Sequence, residues 1–299
     1  MTLTDLLNSA KNGLHPACQK CPWNPRRFKG EELKKPAFGI SCVEHGADWS
    51  VPGSVVSMLI AQDPGGTTPE KTGKLCGVEN AQNPTDKSAR HGFDLWKAAV
   101  SLDDSDTAAI KYMKNHYWTN AIMHGYKATK GNLKEEMIEK QRGQARVCCS
   151  KILLEQINLL SPRIIIATGK PTSESLLELK LISNCWADFK SELSEHVFFE
   201  RTTLQSGKKA LVFCTFHGSA TNVNTNVAPL YSENTGNLLT RRIGKLSDAS
   251  STQHFLEQYN RVNAEGGNAE DKGMRVLLLH WLEIGEGIRH VYTDPEFLG

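Results

Sequence analysis

Four short runs of apolar, often β-branched residues, separated by long stretches of helical pattern, constrain this chain most. The runs are apolar on both faces, as the buried strands of a parallel sheet are. The longest helical pattern, residues 132–160, ends before Pro162 and predicts a crossover helix between the second and third strands. The pattern predicts an α/β fold, a three-layer α/β/α sandwich around a central four-stranded parallel sheet. The predicted strands are residues 55–60, 117–123, 163–168 and 210–216, and further helices are predicted at 173–181 and 274–288.

Composition limits the partners that this chain can have. With 35 basic and 33 acidic residues the formal net charge is only +2, so a nucleic-acid footprint must be local rather than global. The N-terminus does not have the pattern of an export signal, and no run reaches the roughly 18 apolar residues that span a bilayer. We therefore expect a cytoplasmic protein, a monomer that does not bind membranes.

Polar residues follow three of the predicted strands. Gln62 and Asp63 come after the first strand, Asn120 lies at the second, and His217 follows the fourth. Because parallel strands end at one edge of the sheet, where ligands bind, we expect these side chains to share one cleft. A nucleotide hydrolase on such a sheet would need a phosphate-binding loop of the Gly-x4-Gly-Lys-Ser/Thr type, which the sequence does not contain.

The same segments resemble the uracil-DNA glycosylase superfamily. The first motif of that superfamily follows a strand as Gly-Gln-Asp-Pro-Tyr-His or Gly-Glu-Ala-Pro-Gly, and here it is similar to residues 62–66, Gln-Asp-Pro-Gly-Gly. The last motif, His-Pro-Ser, is similar to His217-Gly218-Ser219. Residues 149–169 resemble the helix and strand of its iron-sulfur, thermostable class. The resemblance covers about residues 54–219 and implies an enzyme that binds DNA, flips one base out and hydrolyses its N-glycosidic bond.

The chemistry of glycosidic cleavage fits these residues. Positive charge develops on the sugar and negative charge on the leaving base, so a site needs a carboxylate on one side and hydrogen-bond donors on the other. Asp63 is predicted to position water, with Gln62 where the iron-sulfur class carries glutamate. His217 is predicted to donate to the base carbonyl, and Asn120 to read the Watson-Crick edge of a pyrimidine. The residues predicted to let backbone approach DNA phosphates are Pro64, Gly65, Gly66, Gly218 and Ser219.

One departure from the superfamily bears on the substrate. Residues 73–77 stand where the iron-sulfur class has an aromatic ring that stacks on the flipped base, and they place Leu75 and Cys76 there instead. Loss of that ring removes about 1–3 kcal/mol of stacking and opens space. The excised base is therefore expected to be uracil or a modified, even glucosylated, cytosine, in base excision or in defence against phages with modified DNA. The alternative is a non-catalytic nucleic-acid-binding module with a zinc knuckle.

Eight cysteines in a chain without an export pattern indicate thiols or metal ligands rather than disulfides. Cys18 and Cys21 form one pair, and Cys42 with His45 completes a structural zinc pattern. The resemblance to the iron-sulfur class implies instead a 4Fe-4S cluster held by Cys18, Cys21 and Cys149, with His124 where the third cysteine would stand. Either reading divides the chain into a metal-binding segment, 1–50, packed on a catalytic domain, 51–299.

Overall fold

The computed structural model describes residues 1–27, 37–38, 55–62, 95–96, 99, 116–125, 135–244 and 268–293. Its centre is a five-stranded sheet. The strands of the sheet are β2 (Ser57–Ala61), β3 (His116–Asn120), β5 (Ile164–Thr168), β6 (Phe198–Thr203) and β7 (Lys209–Thr215); the two-residue strands β1 (Ala37–Phe38) and β4 (His124–Gly125) pair separately. The strand order is β3-β2-β5-β7-β6, in which β3, β2, β5 and β7 run parallel and β6 pairs antiparallel with β7 at the edge.

Helices cover both faces of the sheet. They are α1 (Leu3–Lys11), α2 (Glu135–Leu160), α3 (Lys170–Glu178), α4 (Trp186–Phe189), α5 (Glu233–Gly244) and α6 (Ala269–Thr293). On one face Tyr117 and Thr119 of β3 bond to Gln156 of α2. On the other face Thr215 of β7 bonds to His280 of α6. These contacts make the three-layer α/β/α sandwich that the sequence predicts.

The prediction of four parallel strands is confirmed, but the prediction of a four-stranded sheet is wrong by one strand. The added strand, β6, reads Phe-Phe-Glu-Arg-Thr-Thr and alternates half-buried and exposed residues. A strand at the sheet edge is not buried on both faces, so it lacks the continuous apolar run that marks the other four. The second predicted strand also ends early, at Asn120, because residues 121–123 form a bend.

The N-terminal residues pack on α2. Asp5 and Thr2 form a capping box that begins α1, and the apolar face of α1 is buried. His15 lies 3.2 Å from the Glu155 carboxylate, and the Trp23 indole donates to Gln141 at 3.3 Å, both across to α2. In the part of the chain that the structure describes, no helix has the length and apolar character needed to cross a membrane.

Candidate active site

The carboxyl ends of the parallel strands form one edge, and the predicted polar residues that the structure describes lie along it. Asn120 at the end of β3 pairs in register with Ala61, the residue before Gln62. The chain then stays close: the amide of Ile122 donates to the Gln62 carbonyl at 2.9 Å. His217 lies two residues beyond β7. Three strand spacings, about 14 Å, separate β3 from β7, so Asn120 and His217 lie on this edge with β2 and β5 between them.

Asn120 presents an amide that the protein leaves available. The residue is only 5% exposed. Within the described residues, no hydrogen bond involves its side chain, and its polar atoms are not among those sealed from solvent. Because an amide offers one acceptor and two donors, a buried amide of this kind suits the edge of a pyrimidine.

His217 is held by its own loop and by the helical turn that follows. The Ser219 amide donates to its Nδ1 at 3.1 Å, and the Asn222 side chain donates to its carbonyl at 2.6 Å. Because Nδ1 accepts a hydrogen bond, the neutral ring carries its proton on Nε2. Nε2 is therefore the ring nitrogen of His217 that can donate a hydrogen bond. The Ser219 amide is engaged by His217, so its contact with phosphate stays a prediction, as does that of Gly218.

Gly169 is a position that the sequence pattern did not single out. It caps α3 with φ of 93°, a backbone conformation that residues with a side chain rarely adopt. A Cβ on Gly169 would lie 3.5 Å from the Cβ of His217, and the Gly169 amide donates to the Thr215 carbonyl at 2.7 Å. This glycine therefore lets the ends of β5 and β7 come together beside the histidine.

Two buried side chains, one on each face of the sheet, form hydrogen bonds with the ends of the strands. Gln156 accepts from Tyr117 at 2.8 Å and from Thr119 at 2.9 Å, which fixes β3 just before Asn120. His280 bonds to Thr215 at 2.8 Å through Nδ1 and to the Leu193 carbonyl at 2.8 Å through Nε2. The carbonyl can only accept, so Nε2 donates and Nδ1 accepts from the hydroxyl. The sequence gives no signal for either contact, because each partner lies on a distant element.

Three cysteines gather where the N-terminal residues meet α2. Hydrogen bonding to Cys21, together with burial, raises the pKa of Cys149 well above its usual range. Burial and the neighbouring thiols raise the pKa of Cys18 to about 12. The Met123 amide donates to the Cys149 sulfur at 3.5 Å, and the next residue, His124, is buried and hydrogen-bonded to the Lys11 backbone. The group therefore lies beside the turn that follows Asn120.

No three His, Cys, Asp or Glu side chains of the described residues are spaced to hold a single metal ion. Several predicted site residues lie outside the described part of the chain, so the zinc pattern and the first motif stay predictions. These residues are Cys42, His45, Asp63, Pro64, Gly65, Gly66, Leu75 and Cys76.

Comparison with known families supplies the remaining observation. The profile of the Uracil DNA glycosylase superfamily matches residues 58–237, which is 180 of the 299 residues. The chain belongs to the uracil-DNA glycosylase superfamily. The match begins within β2 and ends within α5, so it includes every strand of the central sheet after the first residue of β2. Members of the superfamily are DNA glycosylases, hydrolases that bind DNA. No curated protein matches the chain.

Proposed function

We propose that this member of the uracil-DNA glycosylase superfamily flips a pyrimidine base out of DNA and hydrolyses its N-glycosidic bond, leaving an abasic site. The observation that carries the proposal is that the buried Asn120 amide and the His217 imidazole, with its proton on Nε2, lie at one edge of the sheet. A catalytically silent nucleic-acid-binding module would not need both groups there.

Each residue has a distinct task in the proposed reaction. The bond between the sugar C1′ and the base nitrogen breaks, and its electron pair leaves with the base. The Nε2–H of His217 donates to the base carbonyl on which negative charge accumulates. Water adds to C1′ and gives its proton to Asp63, which directly follows Gln62 in the chain. The Asn120 amide holds the edge of the base while this happens.

The substrate that we propose is uracil or an enlarged cytosine, such as a glucosylated hydroxymethylcytosine. The basis is the sequence of residues 73–77, which carries Leu75 and Cys76 and no aromatic ring. An enzyme that removes the enlarged base acts against phages with modified DNA, whereas one that removes uracil acts in base excision.

The experiment that separates these substrates uses purified protein and three DNAs, which contain uracil, hydroxymethylcytosine or glucosylated hydroxymethylcytosine. Alkali-labile abasic sites are measured in each. Product on glucosylated DNA alone selects the defence function, and product on uracil DNA selects repair. Binding to all three DNAs without product on any contradicts the enzymatic proposal and selects the binding module.

Asn120 gives a prediction about the base edge. Asn120→Leu keeps the size of the side chain but removes its donors and acceptor. We expect excision from the preferred DNA to fall by about 10-fold to 100-fold in kcat/KM, because the hydrogen bonds to the base are lost. Asn8→Leu, a change at an exposed asparagine of α1, is the control and should keep its activity. Equal activity of Asn120→Leu and wild type would contradict this role.

A metal centre in the N-terminal segment is part of the proposal. The hydrogen bond between the Cys21 and Cys149 thiols and the proximity of Cys18 favour the iron-sulfur ligand set, because they link the segment 1–27 to α2. Cys18, Cys21 and Cys149 would hold the cluster, with His124 as the fourth ligand; such a cluster would add rigidity to the turn after Asn120. The zinc set with Cys42 and His45 is the other arrangement.

Metal analysis and an absorption spectrum distinguish the two arrangements. An iron-sulfur protein purified without oxygen is expected to be brown and to contain iron and sulfide, and Cys149→Ala is expected to lose both. A colourless protein with one zinc per chain, unchanged in Cys149→Ala and lost in Cys42→Ala, would select the zinc set. A wild-type protein without either metal would contradict both.

A further inference from the structure

The loop that carries His217 leads into a helix with an unusual turn. Residues Ala220–Asn222 form a short helical turn, and Val223–Val227 continue it as a π turn, in which the backbone winds more widely than in an α-helix. Wide turns of this kind are rare and occur frequently at functional sites. Val223 and Val227 are buried, whereas Asn224, Thr225 and Asn226 are exposed.

A chain of side-chain amides runs from this turn to His217. Asn226 donates to the Asn222 side-chain oxygen at 3.0 Å, and Asn222 donates to the His217 carbonyl at 2.6 Å. Because the Asn222 oxygen is occupied by Asn226, its NH2 group is turned toward His217. The Ser219 amide then fixes the imidazole relative to that backbone.

The π turn is itself held from behind by α6. A Cβ on Gly273 would lie 2.5 Å from the Val223 carbonyl oxygen and 2.7 Å from its Cγ1, so the two backbones are in close contact. Only glycine permits this approach without moving the turn. The position of Asn222 is therefore set by the packing of a long helix and not by the loop alone.

We propose that Asn222 and Asn226 form a positioning relay that holds the His217 imidazole in place for base excision, anchored at Gly273. The inference rests on the proposed function, since it assigns the relay to the same site. Neither asparagine touches the reacting atoms. Their effect is on the rate of the chemical step, because a donor that is misplaced by a fraction of an ångström loses much of its stabilisation of the leaving base.

The test compares four variants by single-turnover excision and DNA affinity. Asn222→Ala and Asn222→Asp remove the donor to the His217 carbonyl, and we expect excision to slow by about tenfold with DNA affinity unchanged. Asn226→Ala is expected to have a smaller effect of the same kind. The matched control is Asn224→Ala, an exposed asparagine of the same turn whose side chain makes no hydrogen bond in the described residues, and it should excise at the wild-type rate.

A second readout does not depend on activity. Nitrogen NMR of 15N-histidine-labelled protein is expected to show His217 in its Nε2–H form in the wild type and in Asn224→Ala, and a mixture of tautomers in Asn222→Ala. If neither the wild type nor any variant excises a base from DNA, the proposed function fails, while the tautomer measurement still tests the relay. If Asn222→Ala does not fold, the exposed Asn226→Ala carries the test.

Three outcomes would overturn the relay. The first is wild-type excision by both Asn222 variants. The second is an equal loss in Asn224→Ala, which would indicate a general effect on the turn. The third is a loss of DNA affinity with unchanged excision of bound DNA, which would make Asn222 a DNA contact. Slower excision in Gly273→Ala with the same shift in the His217 tautomers would support the anchor.

Discussion

Single-turnover base excision is expected to fall by about 10²-fold to 10³-fold when His217 is replaced with alanine, because one preorganised donor to the leaving base is lost. The structure supports this role since the Ser219 amide occupies Nδ1 and leaves the proton on Nε2. DNA affinity should change little, because phosphates rather than one base supply most of the binding energy. The measurement is single-turnover excision beside a DNA-binding titration.

The control for His217 is a second histidine, which lies on the surface. His196 has a side chain that is 48% exposed and lies 3.5 Å from the Glu192 carboxylate, so His196→Ala should excise at the wild-type rate. Asp63→Asn tests the other half of the proposed reaction, the activation of water, because it removes the carboxylate while keeping the size of the side chain. If His217→Ala keeps its rate while Asp63→Asn is inactive, the leaving base is stabilised by another group and the role of His217 is refuted.

The parallel part of the sheet was predictable because burial on both faces gives each strand a continuous apolar run in the sequence. Ile164–Thr168 is apolar at nearly every position, and its neighbours are little different. Parallel order alone then brings Gln62, Asn120 and His217 to one edge, so three residues of the candidate site follow from their place at strand ends. The antiparallel edge strand β6 lacks such a run, because neither of its faces is fully buried and both carry polar residues.

The contacts that hold the site residues in position could not be predicted in the same way. Gln156 and His280 act through partners 37 and 65 residues away in the chain, and no local pattern connects such pairs. Asn222 belongs to an Asn-rich stretch that, as sequence, indicates only a polar loop. The π turn that follows Asn222 packs against Gly273 on a distant helix, and no local pattern predicts that contact.

The structure also predicts marked sensitivity to acid. Burial lowers the pKa of His116 to about 3 and that of His280 to about 4. The unfolded chain takes up these protons near pH 6.5, and the folded chain does so only well below that. The stability that depends on neutral histidines is therefore fully present above pH 6.5 and is lost as the pH falls toward the folded values. At pH 5 the loss is about 2 kcal/mol for each histidine, or about 4 kcal/mol together.

This loss is large for a protein whose total stability is expected to be about 5–15 kcal/mol. Urea unfolding between about pH 7.5 and 5 measures it. His280→Gln retains a donor for the Leu193 carbonyl but does not titrate, so it should lose about 2 kcal/mol less stability over that range than wild type. Glu283, whose pKa is raised by burial, changes stability in the opposite direction in both proteins, so the difference between them isolates His280.

His280 connects this pH dependence to the candidate site. It accepts from Thr215, the last residue of β7, and His217 follows two residues later. A protonated ring cannot accept that hydrogen bond, so acid removes this contact with the strand that leads to His217 as it removes stability. Excision by wild type at pH 5 should therefore decline together with the folded fraction, and His280→Gln should retain more of its own activity at pH 5. A pH profile of unfolding that is the same in wild type and His280→Gln would show that this histidine is not the group that acid protonates.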